Sequence, residues 1–496
     1  MKSETHPHRY LGIFGTLLLL PCIGATNPVY QPPGANLTYG DVTHGKRAQS
    51  AATNPAAAAA DRTRARISGK SNRGTVVSMA AGLEYGNIQN LFDVYDEITG
   101  TYKPTDPDTG LPPGPGQLPE IKDWGTVLSD AWDSLDPDIQ EAANAIATEV
   151  ATQIVLLGLI KNEGHAKAWV AADAGFVFES EPLGGTWAFG VNWSGSSKAY
   201  GLTDPIEFDL DDAISALDDW LNTLPINRPQ VIPIGNDVVV EINPATNAIL
   251  FALQNDSSML TKSTQTTELN IGYSRLAMAN SAGSLFWGVE ARLYNMQLSR
   301  ISVRFGDITN SKELFDAIKN SDFRTDEAAG IDIGALWVGS NYQLGAQMTN
   351  VNEPTFVFPD VDLTGYSNPN AIDFLINDQT YTMDSQVKLE ASLFSSNRRW
   401  SAHVGYDANS ATDPMGDDFQ WLTVSAGVTT DSWWIPSARI GYRENLAGTK
   451  LKYLGIGLTA FKYVNIDVAS ALDTVRIDGK KLPQGLMLSL GFEINW

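Results

Sequence analysis

Few residues in this chain have the type and spacing for bond-making chemistry. Cys22 is the lone cysteine, which excludes an internal disulfide or a CxxC redox pair. His44, His165 and His403 are too scattered to suggest a metal site. The stretch DPDTG, Asp106 to Gly110, begins like a calcium loop, but the remaining ligands and the distal Glu are missing. Neither a Ser/His/Asp set nor a paired-carboxylate arrangement emerges from spacing. The chain therefore reads as a non-enzyme without metal or cofactor. What stands out instead is charge at intervals of two: Glu290 with Arg292, and Lys388 with Glu390. An interval of two puts both side chains on one face of a β-strand, where opposite charges pair along or across the sheet.

The elements that carry these charges are strands with two unlike faces. In LMLSLGFEINW, Leu486, Leu488, Leu490, Phe492, Ile494 and Trp496 alternate with Ser489, Gly491, Glu493 and Asn495. The same alternation gives Val77, Met79, Ala81, Leu83 and Tyr85 against Ser78, Ala80, Gly82 and Glu84. It returns at Trp187 to Trp193, Val387 to Leu393, Trp400 to Tyr406, Leu454 to Leu458 and Val464 to Val468. Each stretch is about ten residues, enough to cross a bilayer at the usual strand tilt. The polar faces hold Gly, Ser, Asn and charges, which suits the lumen of a barrel better than the buried seam of a sandwich. Alternation predicts that Glu290, Arg292, Asp332, Lys388, Glu390, His403, Arg439, Arg443, Asp467 and Glu493 face that lumen.

Composition agrees with export and a membrane wall. The 496 residues carry 34 Lys+Arg and 57 Asp+Glu, a formal charge of −23, which argues against a nucleic-acid surface. Lys2 and Arg9 precede the apolar run Leu11 to Leu20, and Gly24 and Ala25 supply small residues for cleavage, so residues 1–25 read as a signal peptide. Acylation at Cys22 is disfavoured because Pro21 stands where a small residue is needed. No stretch is long and apolar enough for a membrane helix. The expectation is an all-β, outer-membrane antiparallel barrel spanning 73–496, in a Gram-negative bacterium. Short turns near Thr429, Ser395 and Val338 alternate with long connections at Gly306 to Thr325 and Asn352 to Tyr381, which places both termini in the periplasm. About 14 strands fit, or 16 if Val238 to Gln254 is a hairpin of the wall. Phe492, Ile494 and Trp496 form the expected signal to barrel-assembly machinery, the outer face meeting lipid.

Two kinds of segment lie outside the wall. Residues 26–72 hold no convincing strand, and NPAAAAA from Asn54 reads alone as a linker. Helical periodicity marks insertions at about 119–161, with Ile139, Ala143, Ile146, Val150, Ile154 and Leu157, and at about 208–224. Such helices either line an apolar groove at the outer mouth or cap the barrel; capping is the simpler reading.

YGDVTHGKRAQSAATNPAAAA from Tyr39, LNIGYSR from Leu269, LFWGVEARLYNMQLSR from Leu285, GIDIGALWVGSNYQLGAQMTNVNEPTF from Gly330 and SARIGYRENLAGTKLKYLGIGLTAFK from Ser437 resemble the outer-membrane barrel proteins called conjugal transfer protein TraF. The thioredoxin-like protein of the same name is a different pattern. In architecture the chain resembles FadL-like barrels, which carry hydrophobic compounds and hold an N-terminal hatch with an Asn-Pro-Ala motif. That resemblance implies a hatch over 26–72 with Asn54, Pro55 and Ala56 as its motif, and hatch-gated passage of a hydrophobic small molecule. The Gly-rich lead common in that group is absent. The lumenal charges would hold the hatch, and Arg439 or Arg443 would steer a carboxylate headgroup in transport. The family name implies instead an accessory role in conjugation or envelope assembly with a secretion-system partner. A structural or adhesive barrel is a third reading.

Overall fold

The computed structural model describes residues 34–44, 47–61, 74–86, 165–180, 184–204, 230–234, 238–243, 248–253, 256–304, 307, 321–430, 432–477 and 480–495. The signal peptide, DPDTG, both helical insertions and Trp496 lie outside the described residues.

Fourteen antiparallel strands close into one barrel. They are β1 (Gly74–Tyr85), β2 (His165–Ser180), β3 (Gly185–Leu202), β4 (Ser258–Asn280), β5 (Gly283–Arg304), β6 (Arg324–Val338) and β7 (Tyr342–Thr349). The second half comprises β8 (Gln386–Phe394), β9 (Trp400–Asp407), β10 (Trp421–Val428), β11 (Ser437–Asn445), β12 (Lys452–Ala460), β13 (Val464–Ala471) and β14 (Gly485–Asn495). β14 pairs with β1 from Gly74↔Asn495 to Glu84↔Gly485, so the sheet has no open edge. Both described ends of the wall, Gly74 and Asn495, lie at the rim that carries the short turns.

Closure decides which face is wet. Ile456 and Ile440 on the outer face are 62% and 51% exposed, whereas Asp467 and Asn465 on the inner face are 0% exposed. Apolar residues outside and polar ones within are the inverse of a water-soluble sandwich, and they form a surface that a bilayer covers. Aromatic rings gather on the outer face: Phe176, Phe178 and Phe189 stack, Trp187, Tyr273 and Trp287 continue the row, and Trp433, Phe461, Tyr463 and Phe492 form a second group. Tyr85 departs from the outward set of β1. It is buried against Val475 and Leu482, because the connection after β13 folds over the end of β1 there.

Val238 to Gln254 adds no strands to the wall. Residues 230–234, 238–243 and 248–253 form a separate three-stranded sheet. β3 pairs directly with β4 along its whole length, from Thr186↔Ser274 to Leu202↔Ser258, leaving no edge for an inserted hairpin. The insertion's ends are tied together, with Asp204 N donating to Ser257 Oγ (3.0 Å) and Asp256 N to Asp204 Oδ2 (3.1 Å). The connection from β7 to β8 is also structured. It holds a strand pair, Thr355–Val357 with Thr380–Thr382, and a helix, Pro369–Asn377, whose N-cap Asn368 accepts from Asn370 N at 2.8 Å.

Candidate functional site

The lumen holds the N-terminal segment. Helical turns at Asn36–Tyr39, Arg47–Thr53 and 57–61 lie inside the ring, tied together where Asn36 Nδ2 donates to Thr53 Oγ1 at 2.8 Å. Helices this short gain little from propensity alone, so their stability comes from what they dock on. The wall prepares the seats with glycine. Gly288 and Gly334 are register partners on β5 and β6, and a Cβ at either would collide with Pro55 or Asn54. Gly441 and Gly455 are partners on β11 and β12; a Cβ on Gly441 would collide with the carbonyl of Thr38. Strands β7 to β10 separate the two seats, so the segment spans the lumen.

Polar contacts finish the docking. Asn54 Oδ1 accepts from Ala56 N at 3.0 Å, closing a turn around Pro55, and its Nδ2 reaches the carbonyls of Ala335 and Ala346 at 3.4 Å. Ala56 packs with Ala60, Phe286 and Leu336. Ala59 N donates to Ser274 Oγ at 3.0 Å, and Gly34 N to Ser489 Oγ at 2.6 Å.

The lumenal charges sort into three groups. Arg292 is the centre of the first, bonded to Glu290 and Asp332 at 2.8 Å and to Glu268 at 3.0 Å. The i, i+2 pairing of Glu290 with Arg292 is realised here. Lys388 and Glu390 do not pair with one another; both turn to the N-terminal segment. Lys388 bonds Asp41 at 2.5 Å, and Glu390 accepts from Thr43 Oγ1 at 2.7 Å. Burial is the largest influence on Asp41 and works against its charge, but Lys388 together with Arg443 and Arg292 outweighs it and holds that carboxyl below its ordinary value.

In the third group Arg439 bridges to Asp467, with Nε to Oδ1 at 2.8 Å, and to Thr459 Oγ1 at 2.8 Å. Thr38 of the segment donates to the same Asp467. These bonds occupy the Arg439 guanidinium with wall partners. Arg443 lies over the Trp421 ring at 4.6 Å. His403 is buried, its Nδ1 within 2.8 Å of Ser392 Oγ. Its ring meets Tyr39 edge-on at 5.1 Å, while His44 stacks on the other side of Tyr39 at 4.9 Å. Two of the scattered histidines thus meet around a tyrosine of the segment. Glu493 is buried toward the lumen, and Phe492 is exposed outward.

Sequence reading missed the apolar part of the lumen. Trp169, Phe419, Trp421, Tyr453, Leu451 and Met487 form one buried cluster with Leu37 of the segment. Trp421, Tyr453 and Met487 sit at inward positions of β10, β12 and β14, where alternation would have placed them had those strands been followed to their ends. It also missed Lys167 and Lys198, bonded to Asp413 and Asp417 in the connection from β9 to β10. No local pattern links those pairs.

A family model described as "F plasmid transfer operon, TraF, protein" matches residues 51–407. No curated protein matches the chain. Among solved structures it is similar to the Pseudomonas putida toluene transporter TodX, with 10% identity and a TM-score of 0.36, covering 95% of this chain and 97% of that one. It is similar to a Pseudomonas aeruginosa FadL homologue with 12% identity and a TM-score of 0.35, covering 96% and 99%. A deltaS2 mutant of the TodX monoaromatic hydrocarbon channel gives 11% identity and a TM-score of 0.40, covering 94% and 98%.

Proposed function

The chain belongs to the family described as F plasmid transfer operon TraF protein, and from the make-up of its lumen we propose that it is an outer-membrane channel for hydrophobic small molecules, closed by its N-terminal segment acting as a hatch. The observation that carries this reading is the aromatic cluster of Trp169, Phe419, Trp421 and Tyr453 inside the ring, resting on Leu37 of the segment. A barrel that admits water-soluble solutes has a polar, water-filled lumen. Here ring faces pack inside the barrel against a segment held by side-chain bonds and by close packing on glycine. Asn54, Pro55 and Ala56 seat the hatch, and the charges at Lys388, Glu390, Arg439 and Asp467 hold it. Passage requires those contacts to loosen.

The test is uptake of a labelled long-chain fatty acid and a labelled aromatic hydrocarbon by proteoliposomes, with the mature chain and with a variant lacking residues 26–72. Uptake that needs the barrel and rises when the segment is removed supports the reading. If neither compound crosses in either form, transport is wrong and the accessory role named by the family description takes its place, to be tested by mating frequency in a strain lacking the protein.

A further inference from the structure

The connection between β9 and β10 is more than a loop. Ala411–Thr412 pairs with Asp418–Phe419, and Gly416 turns the tip at φ +85° with open space around it. Asp413 Oδ1 accepts from the backbone N–H groups of Met415 and Asp417, each at 2.9 Å, which fixes both carboxylates on one side of the turn. They reach Lys167 on β2 and Lys198 on β3, with Lys167 to Asp417 at 2.7 Å. β11 to β14 and β1 lie between the strands that root this connection and the strands that hold it. It therefore crosses the mouth of the barrel at the end opposite the short turns. Lys167 and Asp413 are almost fully buried, and the Lys167 ammonium also lies over the Phe419 ring at 4.7 Å.

Ala411 and Phe419 of this crossing belong to the same buried cluster as Leu37 of the N-terminal segment. One apolar body is thus shared by the closure at one end of the lumen and the closure at the other. We propose that residues 408–420 form a strap clasped across the mouth by Lys167 and Lys198, and that strap and N-terminal segment are coupled through the cluster, so that releasing either one loosens the other. Coupling of this kind is reciprocal by thermodynamic necessity. The inference concerns the two closures and holds whatever compound the barrel carries, or if it carries none. Burial opposes the charge of Asp417, and Lys167 with Lys198 outweighs it and keeps that carboxyl below its ordinary value. Asp413 goes the other way, its burial outweighing Lys167 and raising that carboxyl above its ordinary value, so Asp417 is the carboxylate of the clasp that holds its charge as pH falls.

The test uses the full mature chain in proteoliposomes, with a nitroxide on Asp418→Cys in the strap or on Ala52→Cys in the segment; both positions are exposed. In the variant Lys167→Met/Lys198→Met, both labels should lose their immobilised spectral component. An unchanged strap label overturns the clasp, and a loosened strap beside an unchanged Ala52→Cys label overturns the coupling. Heat-modifiable migration on gels checks that the ring has formed. Because that variant leaves two carboxylates uncompensated, Leu37→Ala provides a second route that leaves the clasp intact. It should loosen the strap label from the other end, and a strap that stays immobilised there overturns the coupling too.

Discussion

At the scale of single residues, the docking of the N-terminal segment depends on atoms that are missing. Gly288 and Gly441 leave room for Pro55 and for the Thr38 carbonyl, and in each case the obstacle to a side chain is backbone. Gly288→Ala or Gly441→Ala should therefore unseat the segment at a cost of about 1–3 kcal/mol, as overpacking does. The check is faster proteolysis within residues 34–61, with the barrel still heat-modifiable. The Asp41–Lys388 pair adds a pH dependence. Asp41 has its folded value depressed, so its contribution is complete above the unfolded carboxylate value of about 3.9 and is lost as pH falls through the lower folded value. A nitroxide on Ala52→Cys should stay immobilised from neutral pH down to about 4 and be released below it, a range set by the unfolded carboxylate value. In Lys388→Met the release should move to higher pH, since burial then acts on Asp41 with only the weaker pull of Arg443 and Arg292 against it.

At the scale of elements, the wall was legible and the connections were not. Period-two alternation in Val77 to Leu83 or Leu454 to Leu458 survives because lipid and lumen make opposite demands on adjacent residues. The inward direction of Lys388, Glu390 and Arg439 could be read from that rule alone. Their partners could not, since Asp41 and Thr38 approach from hundreds of residues away and no periodicity reports them. The strap was invisible for the same reason: Asp413 and Asp417 look like ordinary turn residues until Lys167 is brought across the ring. Val238 to Gln254 shows the opposite failure, strand-like residues that pair with each other and not with the wall. Because Asp204, Asp256 and Ser257 join the ends of that insertion, replacing residues 205–255 by a short Gly/Ser linker should leave barrel formation intact. Circular dichroism and heat-modifiable migration would read this, and loss of the barrel would show that the insertion supports it.

At the scale of the molecule, the N-terminal segment lies inside the ring, the connection from β9 to β10 crosses its mouth, and both contribute to one aromatic cluster. A small sugar should not swell proteoliposomes that hold the mature chain. It should pass slowly when either residues 26–72 or the Lys167 and Lys198 clasp is removed, because releasing one closure loosens the other, and faster when both are removed. No swelling after either single removal would count against the coupling.

The bond from Gly34 to Ser489 joins residues 455 apart in sequence, and the segment that makes it precedes β1, the strand that zips against β14 to complete the ring. The first residues made must wait for the last ones before they have anything to hold. Contacts that distant are the slowest to form, because the chain's freedom is surrendered before any contact rewards it. Threading and ring closure therefore belong to one kinetic event at the end of folding. Until the β1–β14 seam forms, the segment lacks the seat that Ser489 provides, so its docking matures no earlier than the ring itself.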